Sequence, residues 1–134
     1  MEILVIVLAA AASLFTAFAF YKAGKFKAFS TKETLLGAGF GWVEKTPFWT
    51  VRLIAWLELV GAGGLVVAPI GYFLGYTWAI WFAVAAALGL ALTMVGAIIL
   101  HAKRGEAKYT LKMNMQLLVV SLLAAGLWAY LPMI

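Results

Sequence analysis

One carboxylate in this chain stands where a carboxylate is expensive. Glu58 lies nine positions past Trp49 inside an apolar run. At ~1.5 Å rise per residue, that is about 13 Å along a helix. A charge at such a depth in a bilayer costs several kcal/mol, so the side chain is expected to face other helices and find its partners there. Its helical neighbours Ala55, Gly61 and Ala62 form a small-residue face suited to an interior seam. The chemistry on offer is hydrogen bonding and proton exchange with a buried ligand, or a plain structural bridge between helices.

Three further polar residues fall near the same level. His101 ends a long apolar segment on the face of Met94, Ala97 and Arg104. A lone histidine there is either a wetted helix end or a proton carrier suited to neutral pH. Arg52 opens the segment that holds Glu58. It either snorkels to phosphates or pairs with Glu58 or an anionic headgroup. The two are six residues apart, about 120° around a helix, so direct pairing is not automatic. Asn114 begins the last apolar segment on the face of Ser121 and Ala125, while Gln116 lies on another face. Together Arg52, Glu58, His101 and Asn114 outline a polar pocket at one end of a helical bundle.

The elements that must position them are membrane helices. The 134 residues are 66% hydrophobic and 11% charged, with mean hydropathy +1.06. Soluble domains hold about 45–50% apolar and about 25% charged residues, and a chain this short has too little interior for the excess. Four segments reach the ~20 apolar residues a span needs: Ile3–Tyr21, Trp49–Pro69, Tyr76–His101 and Met113–Tyr130. The expected fold is an all-α membrane protein, a single domain over residues 1–134 built as a four-transmembrane-helix bundle. Ala17-Phe18-Ala19 has the look of a signal-peptide cleavage site. No basic residue precedes the apolar run, so the first segment is expected to stay as a helix.

Net charge is +5, and the basic residues cluster. Lys22, Lys25, Lys27, Lys32 and Lys45 lie between the first two segments, and Lys103, Arg104, Lys108 and Lys112 between the last two. Positive charge marks cytoplasmic loops, which puts both termini and the Pro69–Gly75 turn outside. This charge is read as topology signal and headgroup contact, not as nucleic-acid binding. Tyr72, Tyr76, Trp78, Trp81, Trp128 and Tyr130 are expected to form an outer aromatic belt. In the first basic connection, Ser30-Thr31-Lys32-Glu33 has capping-box spacing, with Ser30 as the cap. A short interfacial helix follows, ending in the turn of Gly37, Gly39 and Gly41, and Pro47 opens the next span.

Small residues recur every four positions in three stripes: Ala9, Ser13, Ala17; Ala85, Gly89, Thr93, Ala97; and Ser121, Ala125, Ala129. Such stripes let helices approach closely in lipid, and these are expected to form inner seams, or else a partner interface. With no cysteine, no aspartate and one histidine, a metal cage or a thiol centre within the chain is nearly excluded.

At these residues the chain resembles the DoxX-like family of small four-helix membrane proteins. Ala23-Gly24-Lys25-Phe26-Lys27 resembles the family's Ala-Gly-x-x-Lys. Arg52 through Leu65, with Glu58 and a glycine-rich run, resembles its second-helix motif. Met94-Val95-Gly96-Ala97, His101 and Lys103-Arg104-Gly105-Glu106 resemble its third-helix ending. Trp56 departs from the small residue common there. The resemblance implies that Lys27, Arg52, Glu58, His101 and Asn114 matter, without giving their roles. Some relatives are subunits of a thiosulfate:quinone oxidoreductase, others sit in an oxidoreductase complex handling oxidative stress, and distant ones assist membrane-protein assembly. Three functions are therefore weighed. The first is a redox-associated accessory subunit binding a quinone or lipid headgroup, with the electron source on a partner. The second is a scaffold or assembly factor for a partner or a homo-oligomer. The third, and weakest, is a transporter, since the outer half gives no continuous polar path.

Overall fold

The computed structural model describes residues 1–105 and 107–134, with side chains for 1–105 and 111–134. Glu106 and the Lys108 side chain, both named above, lie outside the described residues. The chain is an all-α membrane bundle. Four long helices, α1 (Glu2–Phe29), α3 (Phe48–Phe73), α4 (Trp78–Lys103) and α5 (Ala107–Tyr130), form it, with a short helix α2 (Lys32–Gly37) in the first connection. All four are long and apolar enough to cross a bilayer. They pack in a ring, α1 against α3, α3 against α4, α4 against α5, and α5 back against α1.

The helices outrun the apolar segments at the basic end. α1 continues past Tyr21 to Phe29, because charged residues do not stop a helix once its apolar body is anchored. At 28 residues it is about 42 Å long, against ~30 Å of hydrocarbon. Lys22 and Lys25 fold back over the rings four residues earlier, Phe18 and Tyr21, at 5.5 and 5.7 Å. Their stems thus stay on apolar surface, and each ammonium group sits over the face of a ring.

The expected cap of α2 moves by one residue. Ser30 is spent as the C-cap of α1, so Thr31 becomes the N-cap, and its hydroxyl accepts from the Thr34 amide at 3.1 Å. The Ser30–Glu33 capping box is not formed. The chain then turns at Gly39, whose φ of +95° belongs to the left-handed region that glycine tolerates. A 3-10 turn over Gly41–Lys45 carries it to Pro47 and α3. Leu35, Trp42 and Val43 of this connection bury against Val51 of α3, forming a second small core.

Two of the three stripes face inward. Ala9, Ser13 and Ala17 are buried, and so are Ser121 and Ala125, with Ala129 half-buried. The stripe on α4 is corrected: Ala85 and Gly89 are exposed, and the buried row is Ala79, Ala83, Ala87 and Ala91. The deciding contact is Leu90, which fills the notch at Gly61; a Cβ added there would meet Leu90 Cδ2 at 2.7 Å. The aromatic belt is corrected as well. Tyr76, Trp78, Trp81 and Tyr130 are exposed, but Trp128 is wholly buried and Tyr72 packs edge-on against it at 5.7 Å. Trp128 Nε1 donates to Ser13 Oγ at 2.6 Å, fastening α5 to α1 far from the basic end. A buried indole N–H seeks such an acceptor.

Candidate functional site

The site begins with a close helix crossing. Gly24 puts the α1 backbone against α3: a Cβ there would lie 3.0 Å from the Ala55 carbonyl oxygen and 3.2 Å from Glu58 Cβ. One turn on, at i+3, Lys27 is carried to the same face. Its ammonium donates to Glu58 Oε1 in a buried ion pair, with Lys27 about 9% and Glu58 0% exposed. Sequence reasoning held Arg52 open as a partner for Glu58, and the partner is instead Lys27. The signal was present, since the stripe Ala9, Ser13, Ala17 extends by helical spacing through Phe20 and Gly24 to Lys27.

Arg52 does something else. Its guanidinium donates to the backbone carbonyls of Lys27 at 2.9 Å, of Ala28, and of Ser30 at 2.8 Å. It also lies 4.5 Å from the Phe48 ring centroid. Helix C-termini leave their last carbonyls without intrahelical donors and carry partial negative charge. The planar fork of arginine satisfies several at once, and so holds the turn that carries Lys27. Arg52 is thus a positioning residue for the pair and does not line the cavity beside it.

That cavity has a volume of about 600 Å³ and lies at the basic end among all four long helices. Lys27 and Glu58 form its polar wall on one side. Thr93, Met94, Ala97 and His101 of α4 and Asn114 and Leu117 of α5 face them. Phe40 and Trp42 of the first connection also line it, a contribution the sequence reading did not assign. The lining includes exposed Lys22, Phe26 and Met113, so the cavity reaches the molecular surface. Of the five residues singled out from sequence, Glu58, His101, Asn114 and Lys27 come together here, and Arg52 stands behind them.

Two buried polar atoms of residues lining the cavity have no partner among the described residues, Glu58 Oε2 and Asn114 Nδ2. Asn114 is 4% exposed. Leaving a buried donor or acceptor unmet costs about 1–3 kcal/mol, which a ligand supplying the complement recovers. Chemically the arrangement offers an acceptor, a donor and a titratable imidazole at the rim of a mainly apolar chamber. That is the pattern of a small-molecule site, apolar with a few convergent polar groups.

A family model described as the DoxX-like family matches residues 11–126, nearly the whole chain. The chain belongs to the DoxX-like family. This DoxX-like chain has no significant match among curated proteins or solved structures. The matched span contains the Gly24 crossing, the Lys27–Glu58 pair, Arg52, His101 and Asn114.

Proposed function

We propose that this DoxX-like membrane protein is an accessory subunit of a membrane redox system that holds a quinone or lipid head in the cavity beside Glu58. The carrying observation is the buried Lys27–Glu58 pair opening on an apolar chamber of about 600 Å³ with Asn114 and His101 on its far wall. Burying an ion pair gives little net stability compared with apolar packing of the same volume. Its position beside a chamber favours a binding role over a merely structural one. Quinone oxygens fit the donors Lys27 and Asn114, and an isoprenoid or acyl tail fits the apolar lining. Electrons come from a partner in this reading, and His101 and Glu58 position the bound head and exchange its protons. The basic connections around Lys22–Lys45 and Lys103–Lys112 favour a cytoplasmic position for this end, with both termini outside.

The test is extraction in native lipid followed by mass spectrometry of what stays bound. A stoichiometric quinone or lipid is expected with the native chain, and its loss with Ala97→Phe, which fills the chamber. Equal retention by the two proteins refutes the reading.

A second reading, a non-enzymatic scaffold for a partner membrane protein, is favoured by one observation. Ala85 and Gly89 form an exposed small-residue strip on α4, and a Cβ at Gly89 would meet nothing within 4 Å. A stable stoichiometric partner, lost on Gly89→Leu and carrying no ligand, supports this alternative.

A further inference from the structure

We infer that the cavity prefers an uncharged amphiphile whose head carries a hydroxyl group over anionic heads and over heads that only accept hydrogen bonds. The inference rests on the binding reading above and specifies its ligand class.

The argument starts from complementarity. Glu58 Oε2 is an acceptor, and Asn114 Nδ2 is a donor. Both belong to residues at least nine-tenths buried, and both residues line the same chamber. A ligand that meets only Asn114, such as a quinone carbonyl or an ether, leaves the carboxylate oxygen unsatisfied. A hydroxyl donates to the carboxylate and retains lone pairs for the amide. Sites with buried polar groups reject analogues that lack the matching hydroxyl far more strongly than apolar pockets reject a misfit in size.

Charge gives the second half. The Lys27 ammonium is already matched by Glu58, so the pair presents no net charge to the chamber. A phosphate or carboxylate head brought to that depth adds an uncompensated anion beside an orphan carboxylate oxygen, where charge is costly. Lys22, the other cation of the lining, is exposed and lies 5.5 Å over Phe18, so it attracts anions at the rim only. The apolar remainder, with Phe26, Phe40, Trp42 and Leu117, accommodates a ring or chain. Two sources share this chemistry, a reduced quinone and a hydroxyl-headed neutral lipid.

The experiment uses the full chain in nanodiscs of zwitterionic lipid and isothermal titration with matched probes. 4-Dodecylphenol, its methyl ether and dodecyl phosphate share a tail and differ only at the head. The phenol is expected to bind at least about tenfold tighter than either other probe, as one unmet buried acceptor requires. Glu58→Gln, which supplies a donor in place of the acceptor, is expected to shrink the phenol-over-ether preference to less than threefold while binding persists. A folded Asn114→Leu protein is expected to weaken the phenol and the ether alike. A short-tailed benzoquinol and dioctanoylglycerol then separate the two sources, the tighter of the pair naming it. Equal binding of phenol and ether, or tighter binding of the phosphate, overturns the inference and leaves the cavity reading intact. Binding of none of the probes overturns both.

Discussion

Replacing Lys27 by Met should destabilise the bundle much more than the loss of a surface ion pair does. The regime is set by burial: Glu58 is 0% and the Lys27 side chain 11% exposed. Exposed pairs contribute about 0–1 kcal/mol, whereas removing one partner of a buried pair costs about 3–5 kcal/mol, because the remaining charge is stranded. Lys27→Met alone is therefore expected to cost about 3–5 kcal/mol. Adding Glu58→Met removes the stranded carboxylate, and the double variant should recover most of that loss. With either single change costing about 3–5 kcal/mol and the double under about 2 kcal/mol, the coupling from the cycle is expected to be at least about 4 kcal/mol. The assay is reversible unfolding in mixed detergent micelles, followed by far-UV circular dichroism for all four proteins of the cycle. Should the single variant cost under about 1 kcal/mol, or the two changes add without coupling, the pair is not a buried, mutually dependent unit and the site as described is wrong.

Four further outcomes follow. Gly24→Ala should cost about 1–3 kcal/mol by forcing α1 off the Ala55 carbonyl, while Gly96→Ala, open to space, should be neutral or stabilise by up to about 1 kcal/mol; thermal scans of the two compare them. Trp128→Phe and Ser13→Ala should each cost about 1–2 kcal/mol and the double little more than the larger, as denaturation midpoints will reveal if one hydrogen bond joins them. Arg52→Lys should accelerate amide exchange at Ser30, whose N–H bonds the Phe26 carbonyl at 3.1 Å, since lysine cannot cap three carbonyls with a fork; unchanged exchange would remove the capping role. The chain has no cysteine, so Tyr76→Cys should react with an impermeant maleimide on intact cells and Lys32→Cys only after lysis, the reverse pattern inverting the proposed orientation.

The fold was legible because hydrocarbon thickness is a blunt and reliable ruler: each span announced itself by apolar length alone. Register within the bundle was less legible. α4 carries two interleaved small-residue rows, and composition cannot choose between Ala79–Ala83–Ala87–Ala91 and Ala85–Gly89–Thr93–Ala97. The choice is made by a long-range fit, Leu90 into Gly61. Trp128 was misplaced for a similar reason: an indole near a helix end serves a belt or a core, and only the position of Ser13 on α1 decides. At the site, Glu58 stood out as a lone acid in lipid, and its inward face was readable from Ala55 and Ala62. Its partner was hidden among three lysines close in sequence. Lys25 is equally basic, but only Lys27 shares the face of Gly24 and Phe20. Arg52 was ambiguous because its target is backbone, which no residue pattern advertises.

The bond between Trp128 and Ser13 pins the last turn of α5 to the middle of α1. At the basic end the same two helices form facing jaws, Phe26 and Lys27 on one and Asn114 and Leu117 on the other. In the proposed binding role, spreading these jaws for a guest pulls against that joint, about 21 Å along α1 from Lys27 at ~1.5 Å rise per residue.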